Sequence, residues 1–240
     1  MTMAGTPAIR LAPNVWRIPT LGRALINSYA FVDPDGGVTV VDCGVSKASP
    51  RIIAGLATIG KSPRDVTRIL LTHVHADHAG GASALARVTG APVVAHAADA
   101  GFAEAGRLAP FNGATLTGRL INRLPGGRME PVEVAQRLAD GDVLDVGGGL
   151  RILHTPGHSP GHVSLLHEPN RVLITGDALF NVFGVRWPLR TFCSDFPMTQ
   201  RTAHVLGEVG YDVAAFTHGP EITDGARERV RRFLSRARTQ

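Results

Sequence analysis

Short apolar runs bounded by Gly, Pro and Asp alternate along this chain with stretches whose apolar residues recur at helical spacing. The runs Val15–Ile18 and Ala24–Val32 read as strands, and Asp33-Pro34-Asp35-Gly36-Gly37 is a turn into a third, Val38–Val41. Asp42-Cys43-Gly44 follows, then a helix over about Ser49–Ile59 closed by Gly60, and a strand Arg68–Leu71. A helix is expected from about Ala76 to Val88, before Gly90, and a short strand over Pro92–Ala95. Residues from about 101 to 137 break this rhythm with scattered Gly, Pro and Arg, so an irregular, partly helical excursion is expected there. Strands return at Val143–Asp145, Leu150–His154, Val163–Leu166 and Val172–Thr175. A helix over about Met198–Val209, a strand Val213–Thr217 and a last helix Asp224–Arg236 complete the pattern. Strands and helices interleaved twice over, without a short-period repeat, suit two sheets packed between outer helices.

The run Thr72-His73-Val74-His75-Ala76-Asp77-His78-Ala79-Gly80-Gly81 follows directly on the strand that ends at Leu71. In extended backbone side chains alternate faces, so His73 and His75 project together, with Cα atoms roughly 6–7 Å apart. Asp77 and His78 would face the same pocket from the first turn of the helix expected there. Clustering this many polar groups costs folding free energy unless something pairs with all of them, and a cation does so. Three later strand ends carry further donors: His158 in the loop Thr155–Gly161, Asp177 after Val172–Thr175, and His218 before Gly219-Pro220. Glycine beside each allows close approach of backbone.

Composition changes this picture little. At 240 residues the chain is long enough for one generous domain, and 44% hydrophobic with 19% charged residues is ordinary for a globular protein. The net charge of +5 comes from 23 Arg and 2 Lys scattered along the chain, which argues against a nucleic-acid partner. Only Arg227–Arg238 is concentrated, at the spacing of a solvated helix face. No apolar run approaches the roughly 20 residues that cross a bilayer. Two cysteines, Cys43 and Cys193, form no disulfide framework, and the first residues lack a basic segment followed by an apolar one. A cytoplasmic protein is the expectation, with a small molecule as its partner.

Taken together, the motifs resemble those of the metallo-β-lactamase-fold hydrolases, a superfamily marked by HxHxDH followed by three later single ligands, and the likeness covers nearly the whole chain. It implies a four-layer αββα sandwich of the α/β (α+β) class, two mixed sheets flanked by helices, in one domain over residues 1–240. Carried over by position, His73, His75 and His158 would hold one metal ion and Asp77, His78 and His218 a second, with Asp177 bridging both. Asp42 resembles the acid that orients the ligand cluster. His154 and His162 flank His158 and either support it or simply pack. Imidazole and carboxylate donors without thiolate suit two zinc ions, with iron or manganese as alternatives. Such a pair would activate a water, which Asp77 would orient and deprotonate.

The resemblance narrows the substrate mostly by exclusion. β-Lactamases of this fold with two zincs usually lack an Asp at the bridging position, and the redox di-iron branch carries Glu where His75 stands. Acyl-homoserine lactonases often place Tyr three residues after the bridging Asp, where this chain has Phe180. What remains resembles the glyoxalase II-like group, acting on a thioester, ester or lactone. Selection would fall to residues 101–137 and 181–197, where Arg186 and Arg190 either meet an anionic substrate or face solvent. Three further readings stay open: an acyl-homoserine lactonase, which Phe180 weakens without excluding, a mononuclear iron dioxygenase for glutathione persulfide, which Ser159-Pro160-Gly161 and Gly176-Asp177-Ala178-Leu179 resemble, and a metal-binding protein without catalysis.

Overall fold

The computed structural model describes residues 7–123 and 128–237. Pro125-Gly126-Gly127 of the expected excursion, the first six residues and Arg238 lie outside the described residues.

One sheet contains seven strands in sequential order: β1 (Ile9–Ala12), β2 (Val15–Leu21), β3 (Ile26–Val32), β4 (Val38–Val41), β5 (Val66–Leu70), β6 (Val93–His96) and β7 (Val134–Leu138). The first four run antiparallel to one another, and β4 to β7 are parallel. The second sheet takes β8 (Val143–Leu144), β9 (Leu150–His154), β10 (Val163–His167), β11 (Val172–Ile174) and, beyond a short hairpin of β12 (Phe180–Asn181) and β13 (Val185–Arg186), the parallel strand β14 (Val213–Ala215). Helices α1 (Ser49–Thr58), α2 (Ala82–Thr89), α3 (Ala97–Glu104) and α4 (Leu116–Arg123) connect strands of the first sheet, α5 (Phe196–Thr202) and α6 (Val205–Glu208) lie between β13 and β14, and α7 (Ala226–Ala237) follows β14.

Period-two alternation decides which residues face which layer. On β3, Tyr29 and Phe31 point between the sheets and meet Leu150, Ile152, Val163 and Leu165, while Ala30 and Val32 point outward toward Ile52 and Leu56 of α1 and Leu85 of α2. On the far side Leu153, Leu166 and Leu173 pack with Leu206 of α6 and with Val230 and Leu234 of α7. The layer order is therefore helix, sheet, sheet, helix, as expected.

Three boundaries differ from the sequence reading. Ala76–Gly81 is a series of turns, and α2 begins only at Ala82. The Gly81 N–H goes to Gly44 O at 3.1 Å instead of to its own helix, and a Cβ on Gly81 would lie 2.4 Å from Cys43 O. Asp77 and His78 thus leave a turn clamped against the 42–45 loop, not a helix. The stretch 101–137 carries α4 and the seventh strand, β7, which the polar sequence Val134-Ala135-Gln136-Arg137-Leu138 concealed because only its first and last residues are buried. The helix expected over 198–209 starts earlier, where Asp195 caps it by accepting from Met198 N at 2.8 Å, and breaks at Ala203–His204. There Thr199 and Thr202 hydroxyls bond back to Asp195 O and Met198 O, both at 3.1 Å, a pattern that bends helices.

The topology brings several chain ends to one edge. Strands β4, β5 and β6 are parallel and deliver Asp42, the His73–His78 run and His96 at their carboxyl ends, where α/β sheets place ligands. Strands β11 and β14 are parallel and deliver Asp177 and His218 three residues past their ends. Val163 N donates to Thr72 O at 2.9 Å and Asn27 N to Thr217 O at 2.9 Å, joining the two sheets there.

Candidate metal centre

Asp42 sits at this edge fully buried and at φ +59, a left-handed conformation uncommon for a residue other than glycine. Its carboxylate accepts from Thr72 N at 2.8 Å, from the Thr72 hydroxyl at 2.7 Å and from His78 Nδ1–H at 2.8 Å. Because the Thr72 proton is committed to Asp42, the Thr72 oxygen accepts from His73 Nδ1–H at 3.1 Å. This relay leaves a lone pair on His73 Nε2, which is buried with no hydrogen-bond partner. His218 Nδ1–H donates to Leu25 O at 2.8 Å, so its Nε2 also turns inward. One ring nitrogen fixed by an outer partner and the other presented inward is how protein imidazoles are prepared for a metal.

The inward atoms converge. His75 Nδ1 lies 3.0 Å from His158 Nε2, and His78 Nε2 lies 3.2 Å from His218 Nε2. Asp177 reaches His158 Nε2 at 3.2 Å, His218 Nε2 at 3.3 Å and His78 Nε2 at 3.4 Å. Asp77 reaches His218 Nε2 at 3.3 Å and His78 Nε2 at 3.6 Å. Three groupings have ligand atoms within 4.8 Å of one another: His73 with His75 and His158, His73 with His78 and Asp177, and Asp77 with His78 and His218. The structure thus brings together all seven donors named from the sequence. Imidazole nitrogens held 3.0–3.2 Å apart need a proton or a cation between them.

Charge separates the cluster into two sides. Burial holds His75 at about 4 and pushes His73 and His158 well below the ordinary imidazole range. Burial also opposes protonation of His78 and His218, but the carboxylates outweigh it: Asp177, Asp77 and Asp42 carry His78 up to about 9, and Asp177 and Asp77 carry His218 up to about 11. Burial would raise Asp177 and Asp77, yet the surrounding imidazoles hold both below the usual carboxylate range, so both are anionic at neutral pH.

Other polar groups hold the loops in place. His162 Nε2 accepts from Asp177 N at 2.7 Å, while its Nδ1–H donates to Thr155 O at 3.0 Å. Thr217 donates its hydroxyl to Asp177 Oδ1 at 2.6 Å. The Cys193 sulfur lies 3.6 Å from His158 Nδ1. Asp99, on α3, is buried and accepts from Val74 N at 3.0 Å, the Ser159 hydroxyl at 2.6 Å and Gly161 N at 2.6 Å. It therefore ties the His73–His75 loop to the His158 loop. Sequence reasoning missed Asp99, whose only signal is a lone acid among the small residues of a buried helix turn. His154 stacks on His96 at 3.9 Å and its Nε2–H donates to Pro160 O of the His158 loop at 3.0 Å, while His96 caps α3 by accepting from Ala98 N.

A cavity of about 310 Å³ opens above the cluster, with His75, Asp77, His158, Asp177 and His218 on its floor. Phe180 lies against it, 4.4 Å from the His218 ring. The rest of the wall comes from Ala76 and from Phe111, Leu189 and Phe192, which fall in the 101–137 and 181–197 segments although the sequence singled out none of them by residue. Arg186 and Arg190, expected to meet an anionic substrate, are not among the lining residues and are exposed to solvent. Arg186 instead approaches Val182 O at 3.5 Å, and the Arg190 carbonyl accepts from Asn112 Nδ2 at 3.4 Å.

The sequence model of the Metallo-beta-lactamase superfamily matches residues 21–234. The chain belongs to the metallo-β-lactamase superfamily. A superfamily relative described as probable metallo-hydrolase YybB, from Bacillus subtilis, is 27% identical over 193 residues, covering 80% of each chain. A hydroxyacylglutathione hydrolase of Cereibacter sphaeroides is 35% identical over 159 residues, 65% of this chain and 49% of that one. The chain spans about half the length of the hydroxyacylglutathione hydrolases it matches. Among solved structures, metallo-beta-lactamase family protein TTHA1429 of Thermus thermophilus aligns with a TM-score of 0.73 at 27% identity, over 96% of this chain and 81% of that one. BJP-1, a subclass B3 metallo-beta-lactamase of Bradyrhizobium japonicum, aligns with a TM-score of 0.73 at 23% identity, over 98% and 93%, and shows the shared superfamily fold. At the general level the chain is a metallo-hydrolase of this superfamily with a His/Asp site able to hold metal ions.

Proposed function

We propose that this protein is a dinuclear zinc-dependent hydrolase that cleaves a thioester, ester or lactone of a small molecule. The observation that carries the proposal is the convergence of seven donors, more than the four one zinc ion takes, around a buried and unpaired His73 Nε2. His73, His75 and His158 would hold one ion, Asp77, His78 and His218 the other, and Asp177 lies between the two groups. When bound, the ions supply Lewis acidity, lowering the pKa of water toward neutrality and polarising an acyl carbonyl.

The protein's own part follows from burial. The Asp177 side chain is 4% exposed and already accepts the Thr217 proton, so it is suited to holding and not to exchanging protons with solvent. Asp77 is 37% exposed, lines the cavity and is anionic, which suits it to orient a water there and accept its proton. Asp42 and Asp99 act as positioning residues, holding the histidines and the two ligand loops. Two further parts of the proposal concern setting. One interior shared by both sheets supports reading residues 1–240 as a single domain. Free, buried Cys43 and Cys193 suit a cytoplasmic location, and among the described residues no helix is long and apolar enough to cross a membrane.

Metal analysis of the purified protein should give two equivalents per chain, and hydrolysis across a thioester, ester and lactone panel should fall at least about 100-fold in Asp77→Ala, at the low end of what positioned proton transfer contributes. Wild-type turnover in that variant, or no turnover by metal-loaded wild type on any member, would overturn the proposal.

A further inference from the structure

The wall opposite the metal ligands is apolar, and it is built rather than incidental. Asn122 of α4 brackets the Phe111 backbone with two hydrogen bonds, accepting from Phe111 N and donating to Phe111 O, both at 2.9 Å. The Phe111 ring is thereby held against His75 at 4.8 Å between centroids and edge-to-face with Phe192 at 5.7 Å. The 109–112 segment is fastened on both sides: Ala109 N donates to Val74 O at 2.8 Å, Asn112 N donates to Thr191 O at 3.3 Å, and the Ser194 hydroxyl bonds to Pro110 O. Leu189 and Phe192 complete the wall while 59% and 42% exposed, large apolar side chains that the protein leaves in water at the mouth of a cavity. Covering them with ligand is favourable.

Charge points the same way. Among the described residues lining the cavity none is Lys or Arg, whereas Asp77 and Asp177 are both present. A substrate with free carboxylates, such as a glutathione conjugate, finds no Lys or Arg side chain among these lining residues to offset its desolvation. At about 310 Å³ the cavity is at the small end of ligand sites, which run from roughly 300 to 1,000 Å³.

From this we infer that the cavity takes a small, uncharged, apolar acyl group, seated against Phe111, Leu189 and Phe192 with its carbonyl carbon toward the water that Asp77 would orient. The inference rests on the hydrolytic reading above and deepens it by naming the substrate class. Neutral N-acetylcysteamine thioesters from acetyl to hexanoyl test it, alongside the glutathione thioester of lactate. Wild-type kcat/KM should rise about threefold to fourfold per added methylene, the value of burying one CH₂ group, and should exceed that for the glutathione thioester. In the double variant Leu189→Ser/Phe192→Ser the slope should flatten, with metal content showing that the centre stays assembled. A second readout avoids turnover: saturation-transfer NMR on the metal-free protein should show contact with hexanamide in wild type and lose it in the double variant. Hydrolysis with no dependence on chain length, preference for the glutathione thioester, or equal hexanamide contact in both proteins overturns the inference and leaves the hydrolase reading intact. Failure to hydrolyse any thioester, ester or lactone overturns both.

Discussion

Asp42 offers the most demanding test of how the centre is held together. Replacing it by alanine removes the acceptor for three buried donors, Thr72 N–H, the Thr72 hydroxyl and His78 Nδ1–H. The hydroxyl can turn to another partner, but the other two are left unsatisfied, at about 1–3 kcal/mol each. Alanine also tolerates the left-handed backbone at φ +59 less well than aspartate, which adds about 1 kcal/mol. Asp42→Ala should therefore destabilise the metal-free protein by about 3–7 kcal/mol in urea unfolding. Asp42→Asn keeps the side-chain shape and one acceptor oxygen, but turns an NH₂ toward one of the former donors, and should cost about half as much. Because His73 and His78 lose the groups that fix their tautomers, zinc affinity measured by competition with a chromophoric chelator should fall about 10–100-fold in Asp42→Ala. Stability within 1 kcal/mol of wild type, together with unchanged zinc affinity, would refute the relay from Asp42 through Thr72 to His73.

Asp99→Ala leaves Val74 N and Gly161 N without their acceptor and should weaken zinc binding by about tenfold or more without removing any ligand; wild-type affinity would show that the two loops hold themselves. The metal-free protein should be most stable near pH 6.5, the ordinary imidazole value. Below it, burial keeps His75 and His162 neutral down to about 4 while the unfolded chain takes up protons; above it, the folded state retains protons on His78 up to about 9 and on His218 up to about 11 that the unfolded chain releases. Stability thus falls in both directions, and a monotonic profile between pH 5 and 9 would contradict the assignment. The same charges predict that zinc binding at pH 7.5 releases protons from His78 and His218, visible as a buffer-dependent enthalpy in titration calorimetry. Gly81→Ala should destabilise by about 2–3 kcal/mol, since its Cβ would meet the Cys43 and Val45 carbonyls at 2.4 and 3.1 Å. Gly101→Ala, on α3 with nothing within 4 Å of the added carbon, should stabilise by about 0.5–1 kcal/mol in the same urea unfolding experiment.

The donor set was legible in the sequence because it is written locally. Four of the donors fall within six residues of one strand end, and His158, Asp177 and His218 each follow a short apolar strand beside a glycine, so residue type and strand position already brought them to one edge. The two-sheet layering was legible for a related reason, since period-two alternation on β3 assigns Tyr29 and Phe31 to one core and Ala30 and Val32 to the other. The tertiary structure decided what the cavity presents to a substrate. Arg186 and Arg190 were plausible by residue type, but the hairpin of β12 and β13 and the turn after it leave them in solvent. Phe111, Leu189 and Phe192 resemble ordinary loop residues until the 109–112 and 190–194 segments hydrogen-bond across roughly 80 positions of chain. Asp99 was invisible for the same reason, because its three partners lie 25, 60 and 62 residues away. A ligand's chemistry is carried by its own side chain. Which side chains share a cavity depends on long-range packing that no local window of sequence contains.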